Sequence, residues 1–351
     1  MFVCLFHYIC AQWKADNTNE EKREFSRFFL CLTRMLSNTH QTMAQFILYN
    51  YQFTRIESRP EADLFGTMPI QMTAEEAFPQ KQQILSALMM EDYKERKIKF
   101  SGRTRGRKYP HKYLMPPTDD IIILRIANPT KRSLINERFE KEERFDYPNC
   151  IVIIDNRPGI QRLAIEVKRS VFQGSWTLCN ILQQTICELL KPYSLGIELM
   201  HLQESRTFWN YVYDRKTYPK GFHKIKFHLP YLNLERLHDK VELLFTEMRK
   251  SYNGKMDWEM TAPTGGELTI SEEDELQRKQ IKYMMEEVGG DTIELVPNDH
   301  KQKSIWVGRK SPQTMWVSNT TIDRLVEDAA DNQLFGSPAL DHIKIEMKKG
   351  I

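Results

Sequence analysis

Two groups of side chains in this sequence have the types and spacing to do chemistry. The first is Asp155 followed, after ten intervening residues, by Glu166-Val167-Lys168, the one spacing in the chain that could be catalytic. The second lies between Lys94 and Lys112. There Lys94, Arg96, Lys97, Lys99, Arg103, Arg105, Arg107, Lys108 and Lys112 face only Glu95, a local balance of about +8. With a net charge of +3 overall, the rest of the chain is net acidic. Arginine grips a phosphate through two parallel hydrogen bonds, and tyrosine rings offer faces for base stacking. Arg103, Arg105, Arg107, Lys108, Tyr109, Lys112 and Tyr113 are therefore the candidate nucleic-acid-binding residues.

The elements that must position the first group form a hairpin. Cys150–Ile154 is a continuous β-branched and apolar run, as in a strand covered on both faces. Asn156-Arg157-Pro158-Gly159 has turn chemistry, since Pro presets φ and Gly accepts positive φ. From Gln161 to Lys168 the pattern alternates, with Leu163, Ile165 and Val167 on one side and Arg162, Ala164, Glu166 and Lys168 on the other. Without a metal, Asp155 reads as the cap of the turn and Glu166-Val167-Lys168 as an ordinary solvated strand face.

Asp155 with Glu166-Val167-Lys168 resembles the D-x(n)-E-x-K motif of the restriction-endonuclease-like nucleases. The order of a strand at Ile121–Ala127, the hairpin, a helix at Trp176–Leu190 and a strand at Leu195–His201 is similar to that fold too. The resemblance covers roughly 80 residues. It implies a Mg²⁺ or Mn²⁺ ion held by Asp155 and Glu166, with Lys168 helping to activate water. Register argues the other way. A turn at Asn156–Gly159 sets Asp155 opposite Ile160 and Glu166 opposite about Asn149, some 18–20 Å away along the ribbon at ~3.3 Å per residue. A shared ion needs both ligands within about 2.0–2.6 Å.

Along the chain, residues 1–42 read as an N-terminal extension, from a mis-called start or as a helical arm. Residues 43–218 form a first α+β unit, with a strand at Phe46–Phe53 and a helix opened by Pro79. Ser133–Glu143 is charged and reads as a short exposed helix. Residues 219–310 form a second unit: strand Phe222–Leu229, a helix from Asn233 with an apolar stripe through Met248, strands at Met256–Thr261 and Leu268–Ile270, a helix from Ser271 to Gly289-Gly290, and strands at Thr292–Val296 and Ser304–Gly308. Beyond Ser311 the strand signal fades into a C-terminal tail, 311–351. The expected fold class is α+β, with two tandem ferredoxin-like (βαββαβ-type) units and mostly antiparallel sheets.

Composition narrows the class. Apolar residues at 41% and aromatics at 11% suffice for real cores. Six cysteines (Cys4, Cys10, Cys31, Cys150, Cys179, Cys187) make no C-x-x-C pair, which points to a reducing cytosol and no zinc site. No apolar run reaches the eighteen or more residues of a membrane span. Phosphate-binding glycine loops and a G-x-S-x-G elbow are absent. His111 and His201 are candidate general bases for metal-independent RNA cleavage.

The leading reading is a nucleic-acid-associated binding protein of the cytosol, from a bacterial mobile-element or defence setting, that contacts phosphates through the basic loop 94–112. Its expected plan resembles that of RNA-binding sheet proteins, including CRISPR repeat-processing ribonucleases. No cofactor is expected under this reading. Two alternatives stand beside it: a metal-dependent nuclease using Asp155, Glu166 and Lys168, and a non-enzymatic scaffold docking on an acidic protein.

Overall fold

A computed structural model describes residues 43–56, 72–102, 107–135, 137, 139–229, 256–299, 301–307, 312–331 and 337–348. These form a mixed α+β fold with antiparallel sheets and six helices of two turns or more. Contacts gather Ala44–Val317 and Thr321–Ile351 into one unit, and that unit is described below. Arg103 and Arg105, residues 1–42 and the expected helix from Asn233 lie outside the described residues.

The larger sheet contains β1 (Met43–Arg55), β4 (His111–Tyr113), β5 (Ile121–Ala127), β8 (Asn149–Asp155), β9 (Arg162–Glu166) and β10 (Leu195–His201) in the order β10-β1-β9-β8-β5-β4, with β15 (Thr314–Ser318) also paired to β1. Strand β1 is long enough to serve two neighbours on one edge, with Tyr49–Arg55 pairing to β10 and Leu48 N–H donating to Gln313 O at 3.0 Å. Two short strands, β2 (Phe100–Ser101) and β3 (Lys108–Tyr109), make a separate ribbon.

Both faces of this sheet are covered, which is why Ile121–Leu124 of β5 and Cys150–Ile154 of β8 are continuous apolar runs. On one face lie α1 (Lys81–Glu95) and α2 (Ser175–Leu190). Leu178, Ile181, Leu182 and Ile186 of α2 recur at helical spacing and are buried with Val152, Ile154, Leu163 and Ile165. On the other face, α5 (Asn319–Ala330) and α6 (Pro338–Lys348) bring Ile322, Leu325, Leu340, Ile343 and Met347 against Phe46, Leu48, Ile121, Ile123, Ile151 and Ile153. Residues 312–348, expected as a tail, thus supply a strand and a helical layer. Glu166, expected on a solvated face, is buried at 6% exposure, and Arg162 on the same side of β9 is 2% exposed and donates to Met347 O at 2.9 Å.

The stretch expected as a helix over Ser133–Glu143 is instead a two-stranded ribbon, β6 (Thr130–Ile135) with β7 (Lys141–Asp146). It continues the β5–β8 pair without a change of register. Ala127 faces Asn149, Asn128 N–H donates to Pro148 O at 2.9 Å, and Thr130 faces Asp146. The charges of β6 and β7 follow from this, because both faces of the extension meet solvent and need no apolar alternation.

The smaller sheet runs β12 (Met256–Thr261), β11 (Phe222–Leu229), β13 (Ile293–Pro297), β14 (Ile305–Trp306), with all pairs antiparallel. It packs on α3 (Arg206–Tyr213) and α4 (Glu275–Lys282) through Phe208, Trp209, Ile225, Phe227, Ile281 and Leu295. The aromatic run Phe208–Tyr213 is thereby assigned mainly to packing. Gly289 and Gly290 join the sheets: Gly290 N–H donates to His201 O at 2.7 Å, and a Cβ on Gly289 would meet that same oxygen at 2.7 Å.

Candidate nucleic-acid interface

The hairpin does not bring Asp155 and Glu166 together. The chain loops over Asn156–Gln161, and Asp155 faces Arg162 where a four-residue turn would have given Ile160. Asn156 is the cause. Its side chain is drawn into the core, donating to Gln82 O and Ser86 Oγ and accepting from Tyr51 OH at 2.8 Å. Glu166 then falls level with Ile151, four rungs from Asp155, or about 13 Å along the ribbon. The separation is shorter than the expected one and still far beyond a shared ion.

Each carboxylate has its own cation. Asp155 is fully buried and receives the Arg157 guanidinium through Nε at 2.9 Å and a terminal nitrogen at 2.5 Å. Arg157 in turn donates to Lys344 O at 2.9 Å, tying the loop to α6. Glu166 accepts from Ile151 N–H at 2.9 Å and pairs with Lys168 at 2.8 Å. Neighbouring Cys150 has its thiol pushed up to about 12, first by burial and then by the Glu166 charge. Among the described residues no group of three His, Cys, Asp or Glu is placed to hold a metal ion.

The basic segment is built differently. Helix α1 ends at Arg96 in the left-handed conformation (φ 52°), and Phe100 and Ser101 then pair with Tyr109 and Lys108. The segment is pinned from beneath by Asp92, 1% exposed. Its carboxylate accepts from Ile98 N–H at 2.6 Å and Tyr113 OH at 2.8 Å, and it lies 2.6 Å from His111 Nε2. Burial, reinforced by Asp92, pushes the Tyr113 hydroxyl far above the usual phenol range. Tyr109 and Tyr113 are consequently core residues, 8% and 9% exposed, and neither ring is open to a base in this structure. His111 serves the same anchor, packed against Phe100 and Tyr113.

The cations behave otherwise. Of the described members, Lys97 pairs with Glu91 and Glu95, while Lys94, Arg96, Lys99, Lys108 and Lys112 make no ion pair with any described residue. Arg107 meets no carboxylate either; it donates to Asn128 Oδ1 at 2.6 Å and Pro129 O at 3.3 Å and lies over the Tyr109 ring.

A further cation, Arg125, escaped the sequence reading. It stands directly opposite Lys112 on neighbouring strands, so the two side chains share one face. Like charges so placed repel. The Arg125 Nε is buried without a hydrogen-bond partner. The signal was present in the sequence as the single charge inside the run Ile-Ile-Ile-Leu-Arg-Ile-Ala of residues 121–127. An anion between Lys112 and Arg125 would relieve the repulsion.

Comparison with known proteins finds no matching family model, no matching curated protein and no matching solved structure.

Proposed function

We propose that this chain is a nucleic-acid-associated binding protein of the cytosol, holding phosphodiesters through Lys108, Lys112 and Arg125, with Arg103 and Arg105 of the same basic sequence segment adding to the charge. One observation carries the reading: among the described residues, the cations of the segment meet no carboxylate, save at Lys97. An arginine-rich strap over an acidic surface would have paired those groups internally. Supporting it, Asp92, His111 and Tyr113 fix strand β4, and therefore Lys112, in place.

The test is binding of labelled nucleic acid as a function of salt. Phosphate contacts predict a linear fall of log affinity with log salt, with slope about −0.7 to −0.9 per contact. Replacing Arg103, Arg105, Lys108 and Lys112 by Ala is expected to flatten the slope by about two to four. An unchanged slope and affinity would sink the proposal. Retained binding to an acidic protein, with none to nucleic acid, would favour the scaffold alternative.

The tandem ferredoxin-like arrangement is likewise a proposal. It is tested by nuclear magnetic resonance of the chain, which should show a helix following Asn233 between β11 and β12.

A further inference from the structure

With Tyr109 and Tyr113 buried, a nucleic-acid ligand at the cationic edge would have its phosphates held and its bases unread. The ribbon that leaves this edge supplies what is missing. Because β5–β8 and β6–β7 share one register, side chains keep their face from the core to the tip. The face that carries Arg125 and Lys112 therefore continues outward through Tyr147, then Lys131 opposite Phe145, then Ile135 opposite Lys141.

Charge is partitioned between the two faces. On this one, Lys112, Arg125, Lys131 and Lys141 stand against Glu143 alone, which pairs with Lys131 at 3.2 Å. The reverse face is neutral, with Arg132 paired to Asp146 at 2.8 Å and Arg144 to Glu142 at 3.0 Å. Aromatics follow the same division: Phe145 is 61% exposed and Tyr147 52%, both on the cationic face. Residues two apart on a strand are about 6.6 Å apart, roughly twice the 3.4 Å rise of stacked bases. Each ring would thus take a base already parted from its neighbour. From Arg125 to Ile135 the platform runs about 33 Å.

We infer that this face of the long ribbon is a stacking platform for single-stranded nucleic acid, with Phe145 and Tyr147 receiving bases while Lys112, Arg125, Lys131 and Lys141 follow the backbone. The inference rests on the function proposed above and narrows its ligand from nucleic acid at large to unpaired strands. Duplex is disfavoured because its bases present no free face to a flat ribbon.

Fluorescence anisotropy with labelled oligothymidylate, oligouridylate and a blunt duplex, each of about 20 nucleotides, tests it. The single strands are expected to bind at least about tenfold tighter than the duplex. The F145L/Y147L variant keeps apolar bulk but loses the flat rings, and it should lose at least about tenfold in single-strand affinity with duplex affinity unchanged. The R132A/D146A variant, which deletes an ion pair from the reverse face without changing net charge, should stay within about twofold. The two single strands separate RNA from DNA as the ligand. Unchanged single-strand binding by F145L/Y147L, or an equal loss in R132A/D146A, overturns the platform. Duplex-only binding by the unaltered protein overturns this inference and spares the broader one, whereas no binding to any of the three overturns both.

Discussion

Asp92 shows what a buried carboxylate requires. With 1% exposure it can turn to no water, and three protein groups take its place. Asp92→Ala would strand the Ile98 N–H and the Tyr113 hydroxyl, and we expect a loss of about 3–5 kcal/mol in urea unfolding. Tyr49, Tyr51 and Tyr113 add a pH dependence. Burial raises all three hydroxyls above the ordinary phenol value of about 10, with Asp155 adding to it at Tyr51 and Asp92 at Tyr113. A raised folded value means that the unfolded chain releases these protons first. Their contribution is fully present below about pH 10 and is lost as pH rises from there toward the folded values. Unfolding free energy should therefore drop steeply above pH 10, and Tyr113→Phe should make that drop shallower. At the hairpin, Asp155→Asn and Glu166→Gln are expected to lower stability, with no Mg²⁺- or Mn²⁺-dependent cleavage attributable to the pair, as assayed on labelled RNA and DNA.

Among the elements, the C-terminal helices matter most for interpreting the rest. Removal of residues 312–351 would bare Phe46, Leu48, Ile121, Ile123, Ile151 and Ile153 and leave Arg162 and Arg157 without their α6 carbonyl acceptors. Such a truncation should be insoluble or unfolded by circular dichroism, whereas a tail would be dispensable. Here the legibility of the sequence divides cleanly. Strands β5, β8 and β10 and helix α2 were readable because a fully covered strand and a striped helix announce themselves in apolar residues. The covered side of β9 was not, since Arg162 and Glu166 look like solvent residues until their partners, a helix-end carbonyl and a distant backbone N–H, are known. Strands β6 and β7 were hidden for the opposite reason. A ribbon wet on both faces carries no hydrophobic period, and its charges mimicked a helix surface. At the interface, the cations were legible by type and Arg125 by position. The burial of Tyr113 depended on Asp92 and that of Tyr109 on Phe172, contacts that no local pattern encodes.

Over the whole molecule, the two sheets meet through a backbone that only glycine can follow. Gly289 has φ 76° and ψ −175°, a region closed to side chains, and lies against His201 O. Gly289→Ala is expected to cost about 3 kcal/mol and to split thermal unfolding into two transitions, one per sheet, in calorimetry. The extended ribbon has a mechanical corollary. Two strands joined only to each other open one hydrogen-bonded rung at a time when tugged at the tip, whereas the same strands inside the sheet are gripped from both sides. Tension applied at the tip would thus separate β6 from β7 before it reached β5 and β8. The prolines at 129 and 148 lack an N–H to give, so the junction is the weakest part of the ladder, and the peeling should stop beyond it, where β4 and β9 flank β5 and β8.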